Sequence, residues 1–523
     1  MPSTALWWIK LDFRLGDNPA LTAALAAHER IVPVFAFEPR VLQAPETSAF
    51  HVAAWCEALD ELRERLRARG GDVLVLEGDL PGAFGALRQN LRYDAIYSHE
   101  EIGTELTYAR DRAVGDWAES TGVAWREYRQ TGVFRGGIDR NRRHKMWADF
   151  MDTPPLPPPA PEDQARVTIP EAWRALDIGG ALTPERFGHP LTTQQAGLRQ
   201  PVSEAAARAT LESFLYERGQ CYSKGISSPN SAFTCGSRLS VHFAWGTITG
   251  RQVYHALAAR RAELKDDKSE EAKAWRRSLT SFRSRLHWRD HFTQRLEDDV
   301  TAETIPLNPA YLDLPTPGDH HFDDWLHGRT GWPMVDACMR CAAETGFLNF
   351  RMRAMVTSVA VHTLRMDWRR LIHPVARLWA DYVPGIHVSQ TQMQAGVVGI
   401  NQLRGYSPDK QFTDHDPEGT FVKQWVPERR DADAKAIAKH TSGHYIEGYR
   451  PPLLDDRVAS FKSFKEDYYA IKRRPETRAL AEEVYAKHGS RRAAKSRTWK
   501  GNVPKGEKGA SAKTDDAVQG KLL

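Results

Sequence analysis

No apolar run in these 523 residues approaches the ~20 needed to cross a bilayer. The opening Met1-Pro2-Ser3-Thr4 lacks the basic segment and long apolar core of a secretory signal. No membrane partner and a cytoplasmic location are therefore expected. Cysteine is scarce, five residues at no regular spacing, which argues against a disulfide framework and for a reducing compartment. Cys221, Cys235, Cys338 and Cys341 read as packing residues. No Gly-x-Gly-x-x-Gly follows the first apolar segment, so a dinucleotide site of that type is not indicated. His287 and His291 share a helix face, but no neighbouring acid completes a zinc motif. Excess charge is missing from most of the chain. The net charge is +5, yet residues 487–523 alone hold ten Lys/Arg against three Asp/Glu. A nucleic-acid face must then be a local patch.

What is abundant is tryptophan, at sixteen residues. Most should fill packed cores. The sharper reading is that some stack on, or pass electrons to, an aromatic cofactor. The length implies two or three domains.

Strand patterns at residues 6–11, 31–37, 73–76, 95–98 and 123–128 alternate with helix patterns. Asn18 and Pro19 read as the N-cap and first residue of one helix, and residues 49–69 form another, with Trp55, Leu59, Leu62 and Leu66 on one face. This alternation predicts an α/β N-terminal domain over residues 1–130, built as a doubly wound parallel sheet. Residues 131–203, with the Pro-rich run at 154–161, read as a semi-rigid interdomain linker. Residues 204–486 read as an all-α domain, including one helix over 347–367, and residues 487–523 as a basic disordered tail.

Chemistry concentrates in the helical half. Small residues from Thr234 to Ser240 permit close backbone approach and suit an anion pocket. Arg285 and Arg289 share a helix face, which reads either as solvated surface or salt bridges or as a guanidinium pair facing phosphates. Arg351 and Arg353 straddle Met352, which suits one facing outward and one inward. The inward one needs a buried acid, and Asp381 is the candidate. The polar stretch His387 to Gly396 reads either as a surface loop or as donors and acceptors around the polar edge of a bound ring.

Several motifs follow one another in a familiar order: Phe13-Arg14-Leu15-Gly16-Asp17-Asn18-Pro19-Ala20-Leu21, Ser237-Arg238-Leu239-Ser240, Trp288-Arg289-Asp290, Thr330-Gly331-Trp332-Pro333, Asp367-Trp368-Arg369, and Asp414-His415-Asp416-Pro417-Glu418-Gly419 with Trp425-Val426-Pro427-Glu428. With Thr345 to Arg353 as the central helical core, the chain resembles the photolyase/cryptochrome family, in a divergent bacterial-type branch. The resemblance implies an all-α C-terminal FAD-binding domain and a second, antenna chromophore of unknown identity in the sheet domain. It implies UV-damaged DNA as the partner of a monomeric enzyme, a deoxyribodipyrimidine photolyase-like lyase. The activity would be blue-light-driven repair of pyrimidine dimers, cyclobutane or (6-4), by electron transfer from reduced flavin. The alternatives are a cryptochrome-type photoreceptor without repair activity and a light-independent nucleic-acid-binding flavoprotein.

Carried over by position, Tyr222, Gly236, Ser237, Arg238, Leu239 and Ser240 would hold the FAD phosphates. Phe282, Arg289, Phe350, Arg353, Asp381 and His387 would complete the cofactor site. Trp288, Arg285 and Trp368 would serve catalysis, and Arg285, Arg351 and Gln411 would contact DNA. Departures accompany the match. Arg285 stands where many relatives have a dimer-contacting Glu, Phe350 where they have Asn, and Phe347 where they have Trp. Of the family's three electron-carrying tryptophans only Trp368 remains. Flavin photoreduction should then run through Trp332 or Trp379, or be inefficient. The paired histidines of the (6-4) enzymes are replaced by Asn349 and Phe350, and the cysteines do not match the iron–sulfur branch.

Overall fold

The computed structural model describes residues 3–441 and 443–489. Its sheet has five parallel strands: β1 (Thr4–Trp8), β2 (Arg30–Phe37), β3 (Leu74–Glu77), β4 (Ala95–His99) and β5 (Ala124–Tyr128), in the order β3-β2-β1-β4-β5. All five predicted strands are present, with no end shifted by more than three residues. Every residue of β1 is buried, because helices cover both faces of a parallel sheet. Trp7 packs into one core and Leu6 with Trp8 into the other, the period-2 alternation of a strand. Asn18 caps the first helix, its side chain accepting from the Leu21 N–H at 2.9 Å, with Pro19 at the start.

Residues 131–203 are more than a linker. They carry the helix Arg140–Asp152, then return to the sheet, where Val167 pairs with Ile31. Trp173 is fully buried there and its Nε1 donates to the Leu87 carbonyl at 2.9 Å. The Pro-rich run is extended, but the apolar residues after it are enough to dock the segment.

The helical half is organised around the long helix Glu270–Asp298, which buries Trp275, Leu279, Phe282 and Leu286 at helical spacing. The predicted helix over 347–367 is shorter. It runs Phe350–Ser358, loosens into a π-turn at Val359–Thr363, and ends before Arg365, whose φ is +60°. The β-branched series Val356, Thr357, Val359 and Val361 crowds a regular helix at that point.

Two expectations are corrected. The polar stretch from His387 is not a surface loop; it lies in a helix, Pro384–Ala395, stopped by Gly396. Gln392 is fully buried and bonds Leu307 N, Ala302 O and Ile305 O, while Ser389 donates to Phe292 O. These polar groups hold neighbouring segments together. The cysteines also differ from expectation, because Cys221 and Cys235 form a disulfide, their Cα atoms 5.4 Å apart. Sequence spacing gave no hint of that proximity. Apart from residues 487–489, the predicted tail lies outside the described residues.

Candidate functional site

The loop before Ser240 is shaped by Arg218. Its Nη2 donates to Thr210 O at 3.1 Å and to Ser237 O at 2.7 Å, and its Nη1 donates to Gly236 O. The disulfide joins the residue before Tyr222 to the residue before Gly236, so the Tyr222 turn is tied to the start of the loop. A Cβ at Gly236 would collide with Ala232 O, so no side chain fits there.

Arg238 follows in left-handed backbone, φ +58°, an uncommon state that marks an over-determined site. Its guanidinium lies 3.7 Å from the centre of the Phe347 ring, and Nη1 is buried with no hydrogen-bond partner. Burial pushes its pKa down to about 10; Asp381 opposes the shift, and Arg218 and Arg353 add to it. Arg353 donates from Nη2 to Asp381 at 2.9 Å and from Nε to Leu348 O at 2.7 Å, and its guanidinium stands 4.2 Å over the Trp379 ring. The inward arginine and its acid are thus paired. His387 is buried beside them. Its Nε2 donates to Ile372 O at 2.7 Å, and burial lowers its pKa to about 4, so the ring is neutral with Nδ1 as the open acceptor.

Next to the cradle lies an aromatic and basic rim. Tyr222 packs edge-on to Phe282 at 5.4 Å, and its hydroxyl bonds Arg285. Arg285 and Arg351 flank the Phe350 ring at 5.2 and 5.7 Å, and Phe350 is 37% exposed. Asn349 anchors the start of this helix through Ile226 O and Ser227 O, and Arg351 donates to Ser227 Oγ at 3.2 Å.

Other sequence candidates sit elsewhere or are already engaged. Arg289 spends Nη1 on Asp290 and Nη2 on Phe243 O, leaving Nε buried without a partner. Leu239 is a core side chain beside Tyr222 and Phe282, and Ser240 is exposed at the start of a short helix. Trp288 is half-buried against His291 and Phe292. Trp368 lies in the main core of the helical half, and Gln411 is 6% exposed rather than on an open surface. Arg218 was missed by sequence reading. Its role is to bond carbonyls sixteen or more residues later in the chain, and no local pattern signals that.

Residues that suit FAD are therefore present. The buried, unpartnered Arg238 Nη1 calls for an anionic acceptor and the buried, unpartnered Asn349 Oδ1 for a donor, while Phe347, Phe233 and Trp379 supply aromatic surface. The crevice beyond the carboxyl ends of the strands, where open parallel sheets hold ligands, is different. There Lys10 bonds Asp111 at 2.7 Å, and Arg110 bonds Glu38 and Glu101, all largely buried. These ion pairs line the carboxyl ends of β1, β2 and β4, where the second chromophore of this domain is expected.

Comparison with known proteins places the chain beside light-dependent flavoproteins. Residues 5–150 match the family model for DNA photolyase, and residues 282–466 match that for the FAD binding domain of DNA photolyase. A deoxyribodipyrimidine photo-lyase of Thermus thermophilus is 30% identical, covering 81% of this chain and 92% of the relative. That of a Synechococcus species is 26% identical over 90% and 98%. A cryptochrome DASH from Gloeobacter violaceus is 28% identical over 81% and 86%. The fold is similar to a bacterial class III photolyase from Agrobacterium tumefaciens, with a TM-score of 0.77 at 21% identity, covering 91% of this chain and 98% of that one.

Proposed function

The chain belongs to the photolyase/cryptochrome family, and from that premise we propose that it uses FAD and blue light to repair UV-induced pyrimidine dimers in DNA, cyclobutane or (6-4). The observation that carries this reading is the exposed Phe350 held between Arg285 and Arg351. An aromatic face with a cation on each side suits an unstacked base and the phosphates beside it. Damaged pairs stack poorly and cost less to flip out.

FAD, when bound and reduced, supplies the electron that light sends to the dimer and recovers after it splits. The protein's own groups bind and orient. Arg238 offers its unpartnered Nη1 to the diphosphate. Asp381 holds Arg353 in place, and neutral His387 presents an acceptor on the same side. Arg285 stands where many relatives carry a Glu, so it meets lesion carbonyls as a donor only.

A cryptochrome-type photoreceptor is the second reading. It is favoured by the similarity to cryptochrome DASH and by the replacement of both dimer-contacting side chains, at Arg285 and Phe350.

The test is to incubate the FAD-loaded chain with UV-irradiated oligonucleotide in blue light and in darkness. Light-dependent loss of lesions supports repair. Light-driven flavin change with lesions intact selects the photoreceptor, and tight binding without any light effect selects a light-independent nucleic-acid-binding flavoprotein.

A further inference from the structure

His287, His291 and Arg295 are spaced by four and lie on one face of the helix Glu270–Asp298. The helix Arg140–Asp152 lies against that face. His144 Nδ1 is 3.4 Å from His287 Nε2, and Arg143 Nη2 donates to the carbonyls of Asp290 at 3.3 Å and His291 at 3.1 Å. The end of the helix Pro475–His488 closes the remaining side. Arg140 Nη1 donates to Tyr485 O at 3.1 Å, Lys487 Nζ donates to Asp298 O at 3.2 Å, and His488 Nδ1 is 3.8 Å from Asp298 Oδ2.

Two guanidinia therefore meet at the buried end of the helix Glu270–Asp298. Arg143 and Arg295 converge from two helices, with the half-buried Arg140 and the exposed Lys487 at the margin. Among the described residues the carboxylates facing them are Asp298, which also accepts from Gln294, and Asp290, which is paired with Arg289 and Trp147. Arg295 is 6% exposed. Its Nε and Nη1 have no hydrogen-bond partner, and its nearest ring, Phe292, is 5.4 Å away. Burial and the neighbouring guanidinia push His291 far below its ordinary pKa and His488 to about 3, so both rings are neutral.

A buried cation needs a counter-charge. The guanidinia repel a metal ion from the histidine pair, and the same field draws an anion. We propose that Arg295, between these three helices, holds a small phosphate-like oxyanion. This site is separate from the flavin cradle and does not depend on the flavin reading. The phosphate group could come from free phosphate or from a nucleic-acid backbone. The enclosure of Arg295 favours the free ion, because a polymer strand needs an open groove.

The test uses the full chain loaded with FAD, so that the cradle is filled. Its thermal midpoint is compared in sodium phosphate and in sodium chloride at equal pH and ionic strength, and R295M is run beside it. Binding to the native state predicts a saturable rise in phosphate. Phosphate also stabilises proteins generally by exclusion, and R295M measures that part. The expected result is that R295M loses the saturable rise while its midpoint in chloride is no lower than the parent's. An equal rise in R295M overturns the proposal. Equilibrium dialysis of labelled inorganic phosphate against the FAD-loaded parent gives an answer even if R295M does not fold. Binding of one ion per chain is expected, and no binding overturns the site. Displacement of that ion by duplex DNA overturns the choice of a free anion and assigns Arg295 to the nucleic-acid surface.

Discussion

The Arg238 guanidinium rests 3.7 Å from the centre of the Phe347 ring, yet its Nη1 is buried without a partner. The ring orients the cation and leaves one donor for a ligand. R238M should therefore weaken FAD binding by about tenfold to a hundredfold, the worth of a charge-assisted hydrogen bond of about 1.5–3 kcal/mol. Without FAD the same variant should be no less stable than the parent, since it removes an uncompensated buried charge. Flavin fluorescence titration and thermal unfolding check both halves; unchanged affinity would remove Arg238 from the cofactor site.

Trp379 lies under the Arg353 guanidinium and inside the core, so it is the aromatic best placed to relay an electron towards the cradle. W379F should slow the loss of oxidised-flavin absorbance under blue light with an external reductant, and W332F should not. Equal rates in parent and W379F would send the route elsewhere.

Arg351 borders Phe350 at the rim. R351A should weaken DNA binding at all sequences and reduce the salt slope by about one counterion. If binding measured from low to moderate salt keeps its slope, Arg351 does not meet the phosphates.

Burial lowers the pKa values of His51, His242, His362 and His387 to about 4. The folded rings stay neutral where the unfolded chain, with ordinary values near 6.5, takes up protons. Stability is thus fully present above about pH 6.5 and falls as the pH drops towards 4, by about 1–2 kcal/mol per histidine at pH 5. The urea midpoint should be clearly lower at pH 5 than at pH 7, and a flat profile would contradict the buried neutral assignment.

Cys221 and Cys235, fourteen residues apart, tie the Tyr222 turn to the start of the cradle loop. Opening that link should cost about 3 kcal/mol from regained chain entropy. Dithiothreitol should lower the thermal midpoint of the parent and leave the C221S/C235S double variant unmoved. Parent and double variant responding alike would argue that the link contributes nothing.

The sheet was legible because buried strands and amphipathic helices carry distinct periods, as the Leu6/Trp7 alternation and the Leu59–Leu62–Leu66 stripe do. The Arg353–Asp381 pair was legible because an inward arginine needs an acid. The helix holding His387 and Gln392 was not, since its buried polar groups are satisfied by loops distant in sequence. Arg218 and the Cys221–Cys235 link were hidden for the same reason: their meaning lies in contacts that only the folded chain creates. The docking of residues 131–203 onto the sheet was masked by their prolines, which dominate composition but not packing.

The most direct test of the account is the colour of the purified full chain and the pigment it releases on denaturation. Visible absorption of an oxidised flavin is expected, with about one FAD released per chain and much less from R238M. A chain that stays colourless after incubation with FAD would contradict the central claim.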